Sequence, residues 1–401
     1  MKEYHYLLPL ATGYFGVSSA LYDFEGLVVV YGPAGGAWHI NIEDEPRWYR
    51  GPATVVGAGL LEMDVILGND AKFIDNIVKT AKGLNRKFVA LSGTPISEII
   101  GTDLKGFART IEARTDMPVF MVPTAGSEPY PEGASKAFLA LADKFMAPDA
   151  PGIGNGINVL GAVHLSTGKE AHLAPLFDLL REEGFWLVST FSGPVLGLND
   201  PLEGVRNAPG AGVNAVISTS GLALAERMFA DHGIPFVAGM PVGLAGCNAF
   251  MAMLRGEEPP APERPDQAAP QRHALVIGEP VMSYGLKHCL VHDFGIPRVD
   301  VVSVTPSQAL FRESPGRSGL LAERGPHDLD TDGEAEIAAL MNDPSVDLIV
   351  ADPCYRALTD GPAAFVDLPH VAMSARIHWD MDYEYIGEPG YDYLASHLLD
   401  D

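Results

Sequence analysis

Three cysteines provide all the thiols of this 401-residue chain, and their positions decide which sulfur chemistry it can support. They are Cys247, Cys289 and Cys354, and none of them has the close CxxC spacing of a one-segment zinc site. Cys354 lies in the turn ADPCYR directly after a predicted strand, at the sheet edge where α/β proteins usually bind ligands. Cys354 is therefore a candidate metal ligand, and a single buried thiol is the simpler interpretation.

A glycine-rich turn at residues 32–36 follows the first predicted strand. Backbone N–H groups in such a turn can bind an anion. The turn matches neither the P-loop nor the G-x-G-x-x-G pattern, and the glycines at 152, 154 and 156 precede a strand instead of following one. The sequence therefore contains no nucleotide fingerprint, and the turn is either a plain tight turn or part of a functional interface or pocket.

Other patterns exclude several function classes. No HExxH or His-x-His spacing and no G-x-S-x-G turn occurs, so neither a zinc protease nor a serine hydrolase is predicted. The 52 acidic and 27 basic residues give a formal charge of −25, which repels nucleic acids and anionic membranes. The apolar part of residues 6–22 is interrupted by proline and glycine and is too short to span a membrane. The low cysteine content favours a cytoplasmic protein.

Short β-branched runs alternate with amphipathic stretches along the whole chain, which is typical of βαβ units with buried parallel strands. In the first third, strands are predicted at 27–31, 63–67, 88–91 and 119–122. Near the end of the chain, strands are predicted at 348–351 and 370–373. The sequence therefore predicts an α/β fold with three Rossmann-like units and parallel sheets.

Two segments rich in proline divide these units. Residues 146–154 (MAPDAPGIG) interrupt the pattern before it starts again. Residues 256–272 (GEEPPAPERPDQAAPQR) contain five prolines and too little apolar content for a core, which predicts an extended surface linker. We therefore predict a first unit over residues 1–148, a second over 149–255, a linker over 256–272 and a third unit over 273–401.

Four longer motifs occur in a fixed order along the first unit. They are VVVYGPAGGAWH (28–39), LEMDVILGNDAKFIDNI (61–77), ALSGTPISEIIGTDLKGF (90–107) and VFMVPTAGSEPYPEG (119–133). In this order they resemble the nitrogenase component 1 family, which includes nitrogenase subunits, their cofactor scaffolds and dark-operative protochlorophyllide reductase. Weaker similarity continues to the C-terminal segment, so the resemblance covers nearly the whole chain and implies an oxidoreductase component.

The resemblance also implies which residues should line a cofactor or interface. In the family, thiolates after the first turn and within the third motif hold an iron–sulfur cluster between subunits. Here those two positions are Gly36 and Thr94, and no cysteine precedes Cys247. The family's C-terminal cofactor ligand falls near His378, which joins Cys354 as a candidate metal ligand. The residues expected to line the cofactor or interface are Gly32, Pro33, Gly35, Gly36, Thr94, Pro95 and His378.

Several functional hypotheses remain open. The first is a subunit of a nitrogenase-like oxidoreductase that pairs with a homologous chain or a second copy of itself. It would receive electrons from an ATP-dependent iron–sulfur reductase, and its iron–sulfur cluster or other metal cofactor would be supplied or shared by the partner. Oxygen ligands such as Glu43 or Asp44 are a second way to replace the missing thiolates.

The second hypothesis is a non-catalytic relative that holds a preformed metal cofactor, a tetrapyrrole or another small ligand in the cleft between its units. In that case His378 can be an ordinary neighbour of Trp379. A third interpretation is an unrelated nucleotide- or sugar-binding α/β enzyme, because a fold alone does not fix a function.

Overall fold

The computed structural model describes residues 4–33, 35, 40, 45, 47, 54–192, 200–262, 265 and 268–399. Within these residues the chain forms three parallel β-sheets with helices packed around them. The predicted α/β fold with three Rossmann-like units and parallel sheets is thereby confirmed. In the described part of the chain, no helix is long and apolar enough to cross a membrane.

The first sheet has four parallel strands in the order β2-β1-β3-β4. Its strands are β1 (Leu27–Val30), β2 (Thr54–Gly57), β3 (Val89–Ser92) and β4 (Val119–Val122). The helices around it are α1 (Gly13–Leu21), α2 (Glu62–Leu67), α3 (Asp70–Leu84), α4 (Pro95–Ile99), α5 (Leu104–Thr115) and α6 (Tyr130–Phe145). Successive side chains of β1 enter two different cores, one with α1 and α6 and one with α3 and α5, so both faces of the sheet are covered.

The second sheet has five strands in the order β11-β8-β7-β5-β6. Its strands are β5 (Gly156–Leu160), β6 (Trp186–Ser189), β7 (Val213–Val216), β8 (Phe236–Ala238) and β11 (Arg317–Leu320). Its helices are α7 (His164–Thr167), α8 (Glu170–Glu182), α9 (Pro201–Asn207), α10 (Leu222–His232) and α11 (Gly243–Leu254). Strand β11 follows the linker in sequence but pairs with β8, so the C-terminal part of the chain completes this sheet.

The third sheet also has five strands, in the order β12-β10-β9-β13-β14. Its strands are β9 (His273–Gly278), β10 (Arg298–Ser303), β12 (Leu329–Asp330), β13 (Leu348–Ala351) and β14 (Ala364–Asp367). Its helices are α12 (Pro280–His292), α13 (Gln308–Phe311), α14 (Glu334–Met341), α15 (Val371–Ser374) and α16 (Gly387–Leu398). The central strands β9 and β13 are buried along their whole length.

Two of the predicted strands were wrong. Residues 63–67 belong to the helix α2, and the place beside β1 is taken by β2, whose sequence is TVVG. Residues 371–374 form α15, and β14 is the strand beside β13. Apolar runs of four or five residues suit a strand and a short helix equally well, so periodicity alone does not separate them.

Helices α1 and α6 approach each other closely through glycines. A Cβ atom on Gly133 would overlap the backbone carbonyl of Gly13, and a Cβ atom on Gly16 would overlap that of Tyr130.

We expect Gly133→Ala to lower the free energy of unfolding by roughly 2 kcal/mol, because overpacking a core costs about 1–3 kcal/mol. Urea denaturation measures this, with Gly83→Ala as the control, since nothing lies within 4 Å of a Cβ atom there. Equal stabilities of the two variants would contradict the close approach.

Candidate functional site

The carboxyl end of β13 positions the first group of candidate residues. The chain leaves this buried strand at Asp352 and enters a short 3₁₀ helix, Pro353–Leu358. One carboxylate oxygen of Asp352 accepts a hydrogen bond from the backbone N–H of Cys354 at 2.8 Å. The other oxygen accepts one from the backbone N–H of His370 at 2.7 Å. Asp352 is therefore buried and held in one orientation from two sides.

Cys354 and His378, which the sequence suggested separately, lie together beside Asp352. A carboxylate oxygen of Asp352, Sγ of Cys354 and a ring nitrogen of His378 all lie within 4.8 Å of one another. Among the described residues, no other group of three His, Cys, Asp or Glu side chains has this arrangement. Asp352 is buried, and the other two residues are half-buried. We call these three residues the Asp-Cys-His cluster.

The thiol of the Asp-Cys-His cluster is protonated in the absence of a cation. Burial raises the pKa of Cys354 to about 12, and the carboxylate of Asp352 adds to this by its charge and by accepting a hydrogen bond from the thiol. At neutral pH the sulfur is therefore a thiol and not a thiolate. A bound cation is what would convert it into a metal ligand.

A buried polar network connects this cluster to the other two units. The Nε2 atom of His370 lies 2.9 Å from the hydroxyl of Tyr130, and that hydroxyl lies 3.0 Å from Oγ of Ser166. Tyr130 begins α6, Ser166 lies on α7 and His370 directly precedes α15. Burial lowers the pKa of His370 to about 4, so its imidazole is neutral at pH values well above this. All three units thus meet at one hydrogen-bonded point, the three-unit junction, next to Asp352.

The second group of candidate residues lies where the neighbouring strands β1 and β3 end. Oγ1 of Thr94 donates a hydrogen bond to the carbonyl oxygen of Tyr31 at 2.8 Å, and the same side chain caps α4 together with Ser97. A Cβ atom on Gly32 would lie 3.0 Å from the methyl group of Thr94. Pro95 is the first residue of α4. The structure therefore brings Gly32, Thr94 and Pro95 together at one edge of the first sheet.

The described part of this turn does not fit a cluster ligated by the chain's own thiolates. Pro33 and Gly35 are exposed, and Gly36 lies outside the described residues. The hydroxyl of Thr94 is occupied by its backbone interactions. Because the sequence has no cysteine before Cys247, thiolates for an iron–sulfur cluster at this face would have to come from a second chain.

The acidic segment after this turn has a structural role in the part that is described. Glu45 is buried and binds the guanidinium group of Arg47, with 2.6 Å between Oε1 and Nε. Glu45 is therefore engaged in an ion pair. Glu43 and Asp44, which the sequence offered as oxygen ligands, lie outside the described residues.

Sequence patterns missed Asp352 and His370. A usable signal for Asp352 was present, because Asp-Pro-Cys directly after a buried strand places two ligand-type side chains on one turn. His370 had no local signal, because its partner Tyr130 is 240 residues away in the chain.

These features belong to a known class of protein. The chain is a member of the nitrogenase component 1 type oxidoreductase family, whose sequence model matches residues 12–398. This confirms the resemblance carried by the four motifs.

Individual relatives are distant. The nitrogenase molybdenum-iron protein beta chain of Bradyrhizobium diazoefficiens is 23% identical over 321 residues, which cover 68% of this chain and 61% of that protein. Solved structures of nitrogenase Cp1 at pH 6.5 and pH 5 match with TM-scores of 0.72 and 0.69. The structure at pH 6.5 is 14% identical, and the match covers 99% of this chain and 93% of that one. The structure at pH 5 is 16% identical, and the match covers 98% of this chain and 88% of that one. At this identity the solved structures establish the shared fold.

Proposed function

We propose that this chain is a subunit of a component 1 type oxidoreductase that pairs through its first unit with a related chain or with a second copy of itself. The partner supplies or shares the metal cofactor, and an ATP-dependent iron–sulfur reductase delivers the electrons. Family membership supports the oxidoreductase class. The three cysteines are all free, which suits a reducing compartment such as the cytoplasm.

The observation that carries the pairing is an exposed apolar surface on the first unit. Helix α2 has no buried residue at all, although most of its side chains are apolar. Ile66 on α2 is 74% exposed, and Ile99 on α4 is 83% exposed. Such a short helix gains little stability by itself, and exposed apolar side chains concentrated on one part of a protein are typical of an interface. The residues of this apolar face are Leu61, Met63, Ile66, Leu67 and Ile99.

The apolar face borders the glycine-rich turn. The backbone N–H of Leu60 donates to the carbonyl oxygen of Gly32 at 3.1 Å, so α2 starts directly beside this turn. Helix α4 starts there as well, because Thr94 caps α4 and also binds Tyr31. A partner that covers the apolar face would therefore also contact the turn, and its cysteines would lie where this chain has none.

The pairing is tested with Ile66→Asp. The new carboxylate would be buried against an apolar partner, and we expect the dissociation constant to rise by roughly 30-fold or more, the effect of about 2 kcal/mol at an interface hot spot. Sedimentation velocity of the chain alone and mixed with the related chain measures the assembly. Trp186→Asp is the matched control, because Trp186 is 73% exposed and lies on β6 of the second sheet, whereas the apolar face belongs to the first unit. A wild-type chain that stays monomeric in both experiments would refute the pairing.

Electron delivery is tested on the assembled complex. If the proposal is correct, an ATP-dependent iron–sulfur reductase reduces the complex only while ATP is hydrolysed, which is visible as a loss of absorbance of the metal centre.

The alternative is a cluster-free relative that holds a preformed metal cofactor, a tetrapyrrole or a small ligand. The lack of any cysteine in the first unit favours this alternative. It predicts assembly without iron and no ATP-dependent electron uptake.

A further inference from the structure

We propose that Asp352, Cys354 and His378 bind one divalent transition-metal ion of the zinc, cobalt or ferrous kind. The ion would be held by one carboxylate oxygen, one thiolate sulfur and one imidazole nitrogen. This inference goes beyond the pairing and electron delivery proposed above and does not depend on them, because all three ligands belong to this chain.

The geometry of the Asp-Cys-His cluster is close to that of a metal site. Ligand atoms at about 2.0–2.3 Å from a tetrahedral ion stand roughly 3.3–3.8 Å apart from each other. The three ligand atoms here lie within 4.8 Å of one another, so the distances between them must shorten by at most about 1.5 Å. The side chains of Cys354 and His378 are half-buried and can supply this contraction by rotation, while Asp352 stays fixed.

Asp352 remains able to bind an ion although both of its oxygens already accept hydrogen bonds. Each carboxylate oxygen has two acceptor positions, and the backbone N–H groups of Cys354 and His370 occupy one on each oxygen. Hydrogen bonds of this kind orient a metal-ligating carboxylate in known sites. The same bonds also fix the turn that carries Cys354, so two of the three ligands are positioned before an ion arrives.

The donor set selects the kind of ion. A thiolate and an imidazole are soft or borderline ligands, which suit zinc, cobalt and ferrous ions and not magnesium or calcium. When the ion binds, the thiol proton leaves to solvent, and the dication is balanced by one carboxylate and one thiolate. An iron–sulfur cluster would need further thiolates, but Cys247 and Cys289 lie on α11 and α12, and neither belongs to this group.

Three protein ligands leave at least one coordination position for water or another ligand. Structural zinc sites usually have four protein ligands, whereas catalytic sites have three and an open position. The cluster lies next to the three-unit junction, where His370 connects Asp352 to Tyr130 and Ser166. The ion would therefore be exchangeable and would lie at the point where the three units meet.

The site is tested by titrating the chelator-treated full chain with Co²⁺. A cobalt–thiolate bond gives a charge-transfer band in the near ultraviolet, and tetrahedral cobalt gives strong visible bands, so both the sulfur ligand and the geometry are read directly. We expect one Co²⁺ per chain, a thiolate band and displacement of the cobalt by Zn²⁺.

Variants assign these signals to residues. Cys354→Ser should abolish the thiolate band. His378→Gln should weaken the affinity for Co²⁺ by about 100-fold or more, because even the loss of a residue that only hydrogen-bonds to a metal ligand lowers metal affinity by roughly 10–100-fold. Cys247→Ser and His292→Gln are the controls. Cys247 is another half-buried thiol, and His292 forms a close pair with His288 on α12 that could bind cobalt without a thiolate.

Both control variants should keep the wild-type spectrum, and thermal unfolding confirms that each variant is folded. A wild-type chain that shows no thiolate band, a band that survives Cys354→Ser, or a band that is lost in Cys247→Ser would each overturn the proposal. Failure of the pairing experiment would leave the cobalt result unchanged, because the titration needs no partner.

Discussion

Arg47→Met is expected to lower the free energy of unfolding by about 3–5 kcal/mol, because it leaves two buried carboxylates without their counter-ion. The guanidinium group binds Glu45 through Nε at 2.6 Å and through Nη2 at 2.7 Å, and Nη1 pairs with Asp23. It also lies 4.8 Å above the ring of Tyr22. Burial raises the pKa of Asp23, and the positive charge of Arg47 opposes this shift. Without the arginine, both carboxyl groups must take up protons or bring in water.

Urea denaturation of the variant measures this loss. Arg255→Met is the matched control, because Arg255 pairs with Glu183 and Glu257 on the surface, where ion pairs contribute only about 0–1 kcal/mol. Similar losses in both variants would contradict a special role for the buried group.

The consequence of Arg47→Met should extend to assembly. Nη2 of Arg47 donates to the carbonyl oxygen of Ser19 on α1 at 3.1 Å, so the substitution also removes a contact between residue 47 and α1. The turn itself borders the apolar face. We therefore expect the loss of stability to be accompanied by weaker pairing in the sedimentation experiment.

Much of the fold could be predicted from the sequence because buried parallel strands leave a strong local signal. Strands β4 and β13 were predicted to the residue, since each is a short run of apolar residues covered on both faces. The order of the strands could not be predicted in the same way. Strand β11 lies after the linker and pairs with β8 through a long-range contact that no local pattern specifies.

The candidate site shows the same division between local and long-range information. Cys354 could be found from the strand and turn that precede it, and His378 was suggested by the family resemblance. Cys354 follows β13, whereas His378 comes later in the chain, after β14 and α15. The two residues are close only because the chain folds back towards the end of β13, and their spacing in the sequence does not predict this. Local motifs can therefore nominate ligands, but only the packing of the third unit brings them together.

Stability is expected to fall as the pH drops from about 6.5 to about 4, and His172 should account for part of this loss. Burial lowers the pKa of His172 to about 4, and the positive charge of Lys169 acts in the same direction. An unfolded histidine has a pKa near 6.5, so between these values the unfolded chain binds more protons than the folded chain. The contribution of neutral His172 to the free energy of unfolding is therefore complete above about pH 6.5. It decreases as the pH falls towards about 4, by up to about 3 kcal/mol.

His172→Phe removes this titration and keeps an aromatic ring beside Tyr383, whose ring centroid lies 3.8 Å from that of His172. We expect the difference in unfolding free energy between pH 7.5 and pH 5 to be smaller in the variant by about 1–2 kcal/mol. Part of the pH dependence should remain, because burial also lowers the pKa of His164 well below its usual range. Leu173→Ala is the control, because the loss of this buried neighbour should destabilise the chain equally at both pH values. If His172→Phe behaved like Leu173→Ala, protonation of His172 would not contribute to the acid sensitivity of the fold.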